Sequence, residues 1–319
     1  MPDYSNSENA FLATDLKSGS YEAAFAGALS FMRRKYSRDL DGVDAVVWGI
    51  PFDAAVSNRP GTRFGPQAIR RASAILCGDP QYPFNVDIFE QMAVVDYGDC
   101  TFDYGHNNQV PKQIEAQAAA IINASSAPYL LSLGGDHFVT YPLLKAHATK
   151  HGPLALVQFD AHQDTWDDDG ERVDHGTMIT RAVREGIIDV ERSIQIGIRT
   201  IAPDDFGIEI VPALEVCEMT ARDLAARITQ KVGAAKAYLT FDIDCLDPAF
   251  APGTGTPVSG GLDSAFALNT LNRLDNIDFV GSDVVEVSPA YDHADITAVA
   301  GSTVAMYMLG LLDRRRRNR

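Results

Sequence analysis

Short apolar runs rich in Val, Ile, Leu and Phe recur along the chain, and longer segments of mixed apolar and polar residues separate them. Most of the runs are continuously apolar rather than alternating, which is typical of strands that a parallel sheet buries on both faces. The runs predict strands at residues 45–50, 93–96, 129–133, 154–160, 194–198, 238–244 and 279–287.

The segments between the runs predict helices, and several begin with residues that suit a helix N-terminus. Pro66 fits a first turn, Asp263 and Ser264 resemble N-caps, and Thr220 with Asp223 resembles a capping box. The predicted helices cover residues 65–76, 108–124, 141–150, 176–185, 221–232, 264–274 and 296–312. This alternation predicts a three-layer α/β/α fold around a central, mainly parallel sheet.

The composition is that of a globular protein, with 46% hydrophobic and 22% charged residues. The length of 319 residues suits one large domain, which we place at 43–319, after an N-terminal arm at 1–42 that carries a helix. Asp and Glu outnumber Lys and Arg by 43 to 27. A formal charge of -16 argues against a nucleic-acid partner and favours cationic ligands or metals, although an acidic surface also serves solubility alone.

The cysteines and the chain termini indicate a cytoplasmic protein. No two cysteines have C-x-x-C spacing, so we expect reduced, structural thiols at Cys77, Cys100, Cys217 and Cys245. The N-terminal residues contain Asp3 and Glu8 and no secretory apolar run, and no stretch has the composition and length of a membrane span. We interpret the basic run 314–317 as a solvated terminus.

Three segments place acidic and histidine residues where predicted strands stop. They are Gly-Gly-Asp-His at 134–137, Asp-Ala-His-Gln-Asp at 160–164 and Asp-Ile-Asp at 242–244. Ligands of open parallel sheets bind at the carboxyl ends of the strands. Residues two apart in an extended segment share a face, so the carboxylates within each segment are expected to point together. We interpret Asp136 as a turn residue.

A divalent metal site explains these polar residues better than strand caps and salt bridges do. A carboxylate inside an apolar run is costly to bury unless it is paired or bound to a metal. Two divalent cations match the charge of four carboxylates, and oxygen ligands with some imidazole suit Mn²⁺. The predicted ligands are His137, Asp160, His162, Asp164, Asp242 and Asp244.

These segments resemble the ureohydrolase family, which includes arginases, agmatinases and guanidinobutyrases. The resemblance extends through the long run at 240–257 and on to Gly260-Gly261, and it covers nearly all of the chain from Val43 onward, including Arg63-Phe64-Gly65-Pro66. It implies an assembly of three or six copies, and two Mn²⁺ ions per subunit. One ion would be held by His137, Asp160, Asp164 and Asp242, and the other by His162, Asp160, Asp242 and Asp244.

The resemblance also implies a mechanism in which a hydroxide bridging the two ions attacks a guanidinium carbon. Asp244 or a neighbour would orient the hydroxide. His175 would transfer a proton to the leaving amine, and Glu286 would bind the guanidinium, which pairs bidentately with carboxylates.

The loop at 165–172 is acidic, where arginases place neutral residues that bind an amino-acid head, and it is expected to attract an ammonium group and repel a carboxylate. The predicted substrate is therefore agmatine, a small cationic guanidine that yields putrescine and urea. A guanidinobutyrase or another guanidino-acid enzyme is the alternative. More remote alternatives are a non-catalytic metal-binding homologue, a formimidoyl hydrolase and a deacetylase.

Overall fold

The computed structural model of the chain describes residues 9–17, 22–78 and 80–318. Within these residues nine strands form one sheet in which every strand pairing is parallel. The strands are β1 (Lys35–Tyr36), β2 (Ala45–Ile50), β3 (Val94–Asp99), β4 (Tyr129–Gly134), β5 (Ala155–Phe159), β6 (Ile194–Ile198), β7 (Glu209–Pro212), β8 (Lys236–Asp242) and β9 (Asp278–Val285). They lie in the order β1-β3-β2-β4-β9-β8-β5-β6-β7.

Helices cover both faces of the sheet, so the predicted three-layer fold is confirmed. The helices are α1 (Asn9–Leu12), α2 (Gly65–Ser73), α3 (Val110–Ile122), α4 (Thr140–His151), α5 (Met178–Arg184), α6 (Ala213–Val216), α7 (Ala221–Val232), α8 (Ser264–Leu271) and α9 (Ile296–Arg317). One core packs α2, α7, α8 and α9 against the sheet, and a second core packs α3, α4 and α5 against its other face. Both cores take alternate residues of the same strands, which is why the runs are continuously apolar.

The predicted caps and strands are present, with shifted ends. The side chains of Asp263 and Thr220 accept hydrogen bonds from Phe266 N and Asp223 N, and Ser264 is the first residue of α8. Sequence analysis misses the short edge strands β1 and β7, since two to four residues give little periodicity. Of the predicted N-terminal arm, the described part contains the one-turn helix α1, and residues 1–8 and 18–21 lie outside the described residues.

The long C-terminal helix belongs to the core. By length and composition α9 is the one described helix that is apolar enough to cross a membrane, so the expectation that no such stretch exists is wrong. However, 72% of its apolar window is buried inside the protein. The expected solvated basic run instead continues α9 and pairs with carboxylates of this chain. These pairs are Arg314–Asp275, Arg315–Asp278, Arg316–Asp44 and Arg317–Asp313.

Candidate metal and active site

Strands β4, β9, β8 and β5 are neighbours in the middle of the sheet, and residues at the ends of β4, β8 and β5 line one cavity. Because all four are parallel, their carboxyl ends meet at the same edge. The cavity has a volume of about 500 Å³. The predicted site residues follow these strand ends: His137 after β4, Glu286 after β9, Asp242 and Asp244 at the end of β8, and Asp160, His162 and Asp164 after β5.

Three carboxylates converge on one nitrogen of His137. Its Nδ1 atom lies 2.9 Å from Asp160 Oδ2, 3.1 Å from Asp164 Oδ2 and 3.2 Å from Asp242 Oδ2. All four residues are buried, and Nδ1 makes no hydrogen bond. A single ring N–H cannot satisfy three carboxylates, so the arrangement is that of ligand atoms around a cation.

A second group of ligand atoms shares Asp160 with the first. His162 Nδ1 lies 3.0 Å from Asp244 Oδ2 and 3.6 Å from Asp160 Oδ1. The ligand atoms of Asp160, His162 and Asp244 lie within 4.8 Å of one another, as do those of His137, Asp160 and Asp242. The structure therefore brings all six predicted ligands together, in two groups that meet at Asp160.

The site is strongly anionic and buried. Burial raises the pKa of Asp242 well above its usual range, and Asp244 and Asp160 raise it further. Burial and the neighbouring Asp160 raise the pKa of Asp164 to about 7. Burial lowers the pKa of His162, but Asp244 and Asp160 outweigh it and raise that pKa to about 12. The raised pKa values mean that the site favours added positive charge. Its oxygen and imidazole donors fit two divalent cations.

The carboxylates converge through turns, and the expectation that strand alternation aligns them is wrong. Strand β8 ends at Asp242, and Asp244 lies in a 3₁₀ turn over Ile243–Cys245. The carboxylate of Asp242 caps this turn by accepting a hydrogen bond from Asp244 N at 2.8 Å. Asp164 has a left-handed backbone with φ 53°. This conformation is rare for a residue with a side chain, and such strain is found mainly at functional sites.

A buried network behind His137 fixes its ring, and sequence analysis missed it. His137 Nε2 lies 2.8 Å from Thr240 Oγ1, which donates to Asp283 Oδ1 at 2.6 Å. Asp283 Oδ2 also accepts hydrogen bonds from Thr140 and Tyr238, each at 2.9 Å. Since the Thr240 hydroxyl donates to Asp283, it accepts the Nε2 proton of His137 and leaves the Nδ1 lone pair facing the carboxylates. The signal in the sequence was an aspartate within a predicted strand.

Glu286 is turned away from the sheet. Strand β9 ends one residue before it, and Glu286 has a left-handed φ of 64°. Its N–H donates to Gly135 O at 2.8 Å, and a side chain on Gly135 would collide with Phe52 O. Glu286 Oε1 accepts hydrogen bonds from His137 N at 2.8 Å and His175 Nδ1 at 2.9 Å. The other carboxylate oxygen, Oε2, is buried without a hydrogen-bond partner.

His175 lies between Glu286 and a loop that sequence analysis did not assign. Its Nε2 atom lies 2.8 Å from Ser57 Oγ and 3.1 Å from the Ser57 backbone N–H. Burial lowers the pKa of His175, but the hydrogen bond and charge of Glu286 outweigh it and raise that pKa to about 9. Asp136 is the predicted turn residue, since its carboxylate accepts Phe138 N and holds this loop through Ala55 N at 2.9 Å.

The acidic loop pairs two of its four acidic residues, Asp167 and Asp168, with arginines. Asp168 is buried and accepts hydrogen bonds from Arg181 at 2.9 Å and 2.6 Å, so its carboxylate faces away from the cavity. The cavity rim carries two further ion pairs, Arg184–Asp167 at 3.0 Å and Arg172–Asp174 at 2.8 Å. Asp168 therefore does not contribute its charge to the cavity, whereas Asp167 lines the cavity with a side chain that is 93% exposed.

Comparisons with known proteins identify the family of the chain. The Arginase family model matches residues 43–310. The agmatinase of Chromobacterium violaceum is 52% identical over 299 residues, which cover 93% of this chain and 92% of that protein.

Two solved structures share the fold over nearly their whole length. A crystal structure described as a hypothetical agmatinase from Burkholderia thailandensis has a TM-score of 0.95 and 50% identity, covering 97% of this chain and 98% of that one. The proclavaminate amidino hydrolase of Streptomyces clavuligerus has a TM-score of 0.86 and 37% identity, covering 92% of this chain and all of that one. The chain therefore belongs to the arginase family, and it is a ureohydrolase enzyme.

Proposed function

We propose that the enzyme hydrolyses agmatine to putrescine and urea at a site that holds two Mn²⁺ ions, and so serves polyamine metabolism. The observation that carries the proposal is the pair of buried ligand groups that share Asp160, beside a carboxylate with one free oxygen at Glu286. The names of the relatives at about half identity support agmatine as the substrate.

The residues divide into two ligand sets in this proposal. His137 and Asp164 belong to one ion, His162 and Asp244 belong to the other, and Asp160 and Asp242 serve both. When bound, the two ions supply Lewis-acid activation of water, whose pKa falls to about 7 on such metals. Asp244 is held by Ala161 N at 3.1 Å and Thr256 Oγ1 at 3.3 Å, and it orients the attacking water.

Glu286 binds the guanidinium group. Its Oε1 is fully used by two N–H donors, so its orientation is fixed before the ligand arrives. Its Oε2 is buried and lacks a partner, which costs free energy unless a ligand donates to it. A guanidinium N–H supplies that hydrogen bond together with a compensating charge. His175, bonded to the same carboxylate, supplies the proton that the leaving amine takes.

The indole of Trp166 forms a wall at the cavity mouth and is placed to contact the tail of the substrate. Its backbone is held on both sides, by Gly176 O at 3.1 Å and by Thr180 Oγ1 at 2.8 Å. An aromatic face attracts an ammonium group by about 0.5–1 kcal/mol when exposed. One observation favours the alternative of a guanidino acid: Arg172 lines the cavity, and its pairing with Asp174 is exposed enough to exchange for a substrate carboxylate.

The proposal extends to the organisation of the chain. We infer that residues 43–319 form the single catalytic domain, that residues 1–42 form an arm, and that subunits associate into a trimer or hexamer in the cytoplasm. The described arm supports self-association, because Phe11, Leu12 and Phe25 expose 61%, 61% and 95% of their surface.

The deciding experiment is urea release by Mn²⁺-loaded protein from agmatine, arginine, 4-guanidinobutyrate and 3-guanidinopropionate in parallel. We expect turnover of agmatine and little release from the other three. Faster release from 4-guanidinobutyrate would replace agmatine by a guanidino acid and assign Arg172 to its carboxylate. Formamide or acetate as a product, from formimidoyl or acetyl substrates, would overturn the ureohydrolase proposal.

A further inference from the structure

Both ring nitrogens of His175, which lines the cavity, are hydrogen-bonded to other residues of the chain. Nδ1 is bonded to Glu286 Oε1 at 2.9 Å, and Nε2 is bonded to Ser57 Oγ at 2.8 Å. The residue is only 9% exposed. Of these two partners, the Ser57 hydroxyl can accept a proton and give up its own in the same step, whereas Glu286 would lose the negative charge that binds a guanidinium if it took the proton.

Ser57 itself lines the cavity and is exposed to it. Its loop is fixed at three points: Ala55 N donates to Asp136 Oδ2 at 2.9 Å, His175 N donates to Ala55 O at 3.3 Å, and Asn58 Nδ2 donates to Gly255 O at 2.9 Å. The hydroxyl thus lies between the imidazole and the cavity, which the proposed metal ligands His137, His162, Asp164 and Asp242 also line.

We propose that Ser57 is a catalytic residue whose hydroxyl delivers the proton to the leaving amine, with His175 as the source. This inference rests on the proposed function. As the C–N bond breaks, its electron pair stays on the nitrogen, which takes the proton of Ser57 Oγ. The oxygen in turn takes the Nε2 proton of His175. One proton moves from the imidazolium to the amine, and the serine is unchanged.

The backbone of Ser57 assists this transfer. Its N–H points at His175 Nε2, and the two nitrogens are 3.1 Å apart. Nε2 can accept this hydrogen bond only after it has lost its own proton. The hydrogen bond is therefore stronger after the transfer than before it, and a bond gained along the reaction lowers the barrier. Glu286 favours the charged ring, which is the proton source, and the Ser57 N–H favours the neutral ring that remains after the transfer.

The test uses the Mn²⁺-loaded variants Ser57→Ala and Ser57→Thr. Alanine keeps the backbone N–H and removes only the hydroxyl, whereas threonine keeps a hydroxyl in the same place. We expect Ser57→Ala to lose about 100-fold in kcat on agmatine with little change in KM, and Ser57→Thr to recover most of it. In a His175→Ala background the Ser57→Ala substitution should cost almost nothing further, because both residues serve one path.

A substrate with a weakly basic leaving group separates proton delivery from a structural role. On the oxyguanidine analogue of agmatine the Ser57→Ala defect should shrink to a few-fold, since its aminooxy group leaves with less need of a proton. An equal defect on both substrates, or wild-type rates in Ser57→Ala, would overturn the proposed role of Ser57 and leave the proposed function standing. Absence of urea from wild-type protein would instead overturn the proposed function.

Discussion

Two buried groups of carboxylates in this protein differ in how they balance their charge. At Asp96, in β3, every lone pair is directed at a donor of the chain itself. Oδ1 accepts from Arg70 Nη2 and Gly98 N at 2.9 Å and 3.0 Å, and Oδ2 accepts from Arg70 Nε and Phe31 N, each at 2.8 Å. In the cavity, by contrast, four carboxylates surround two imidazoles, and His137 Nδ1 has no hydrogen bond.

The difference separates structural charge from functional charge. Removal of one partner from the closed cluster would leave Asp96 as a buried, unpaired ion, so the fold requires this cluster to be complete. The cavity cluster is incomplete without an added cation, so its repulsion is a cost that the rest of the fold bears. Burial alone does not distinguish the two, since Asp96 and Asp160 are both fully buried. The distinguishing feature is whether hydrogen-bond donors of the chain itself satisfy the oxygens of the buried carboxylates.

The largest expected effect is on activity, at the open cluster. Asp242→Asn should lower urea release by at least about 1,000-fold, or about 4 kcal/mol in the barrier, because it removes a ligand shared by both ions. The same substitution should leave metal-free protein at least as stable as wild type, since it removes a carboxyl whose charged form burial, Asp244 and Asp160 all disfavour. Assays of urea release and thermal unfolding in chelator measure the two effects.

A metal titration supplies the control for Asp242→Asn. Added Mn²⁺ should raise the melting temperature of wild-type protein, because an ion that binds only the folded state stabilises it. It should raise that of Asp242→Asn much less. If metal-free Asp242→Asn melted well below metal-free wild type, the carboxylate would be a structural residue, and the contrast with Asp96 would be wrong.

A smaller effect, on stability, is expected at the closed cluster. Arg70→Met should reduce the free energy of unfolding by about 3–5 kcal/mol, because it leaves Asp96 buried without its countercharge. Urea denaturation measures the loss, and added Mn²⁺ should shift the midpoint of the variant as it shifts wild type. Arg71→Met is the matched control, since Arg71 is exposed and its partner Asp295 is also exposed. Equal losses in the two variants would contradict the distinction.

The smallest expected effect is on how the free energy of unfolding changes with pH. It concerns His147, a buried residue outside both clusters. Neither ring nitrogen of His147 has a hydrogen-bond partner, and burial lowers its pKa from 6.5 to about 3, with His151 and Lys150 adding to the effect. Between these pH values the unfolded chain binds a proton that the folded chain does not. Stability is therefore lost as the pH falls through this window, by up to about 1.4 kcal/mol per pH unit from this group.

His147→Leu should remove that contribution. Its free energy of unfolding, measured in urea at pH 7 and pH 5, should fall less with acid than that of wild type. The exposed His293→Leu serves as the control and should keep the wild-type slope. If the free energy of unfolding of His147→Leu changed with pH as that of wild type does, the His147 ring would be protonated in the folded protein, and the expected lowering of its pKa would be wrong.

Sequence analysis predicted the features that local pattern encodes. Continuous apolar runs located the strands that carry the site, and the D-x-H-x-D and D-x-D spacings located five of its six proposed ligands. The partners of these residues could not be predicted in this way. Ser57 and His175 are 118 residues apart, and Thr240 and His137 are 103 apart, so no local periodicity connects them. Likewise the acidic loop predicted a charge at the cavity, but Arg181 neutralises Asp168 from a helix that follows it.

The strand order also determines when the site can come into existence during folding. His137 and Glu286 follow adjacent strands, yet 149 residues separate them in the chain. Closure of so long a loop is entropically costly and comes late, after contacts of lower sequence separation have formed. In the unfolded chain the six proposed ligands lie in three separate segments, at 137, 160–164 and 242–244, with no pocket for an ion. Metal uptake should therefore lag behind sheet formation in refolding, and the bound ion should act as a reporter of completed assembly rather than as a nucleus for it.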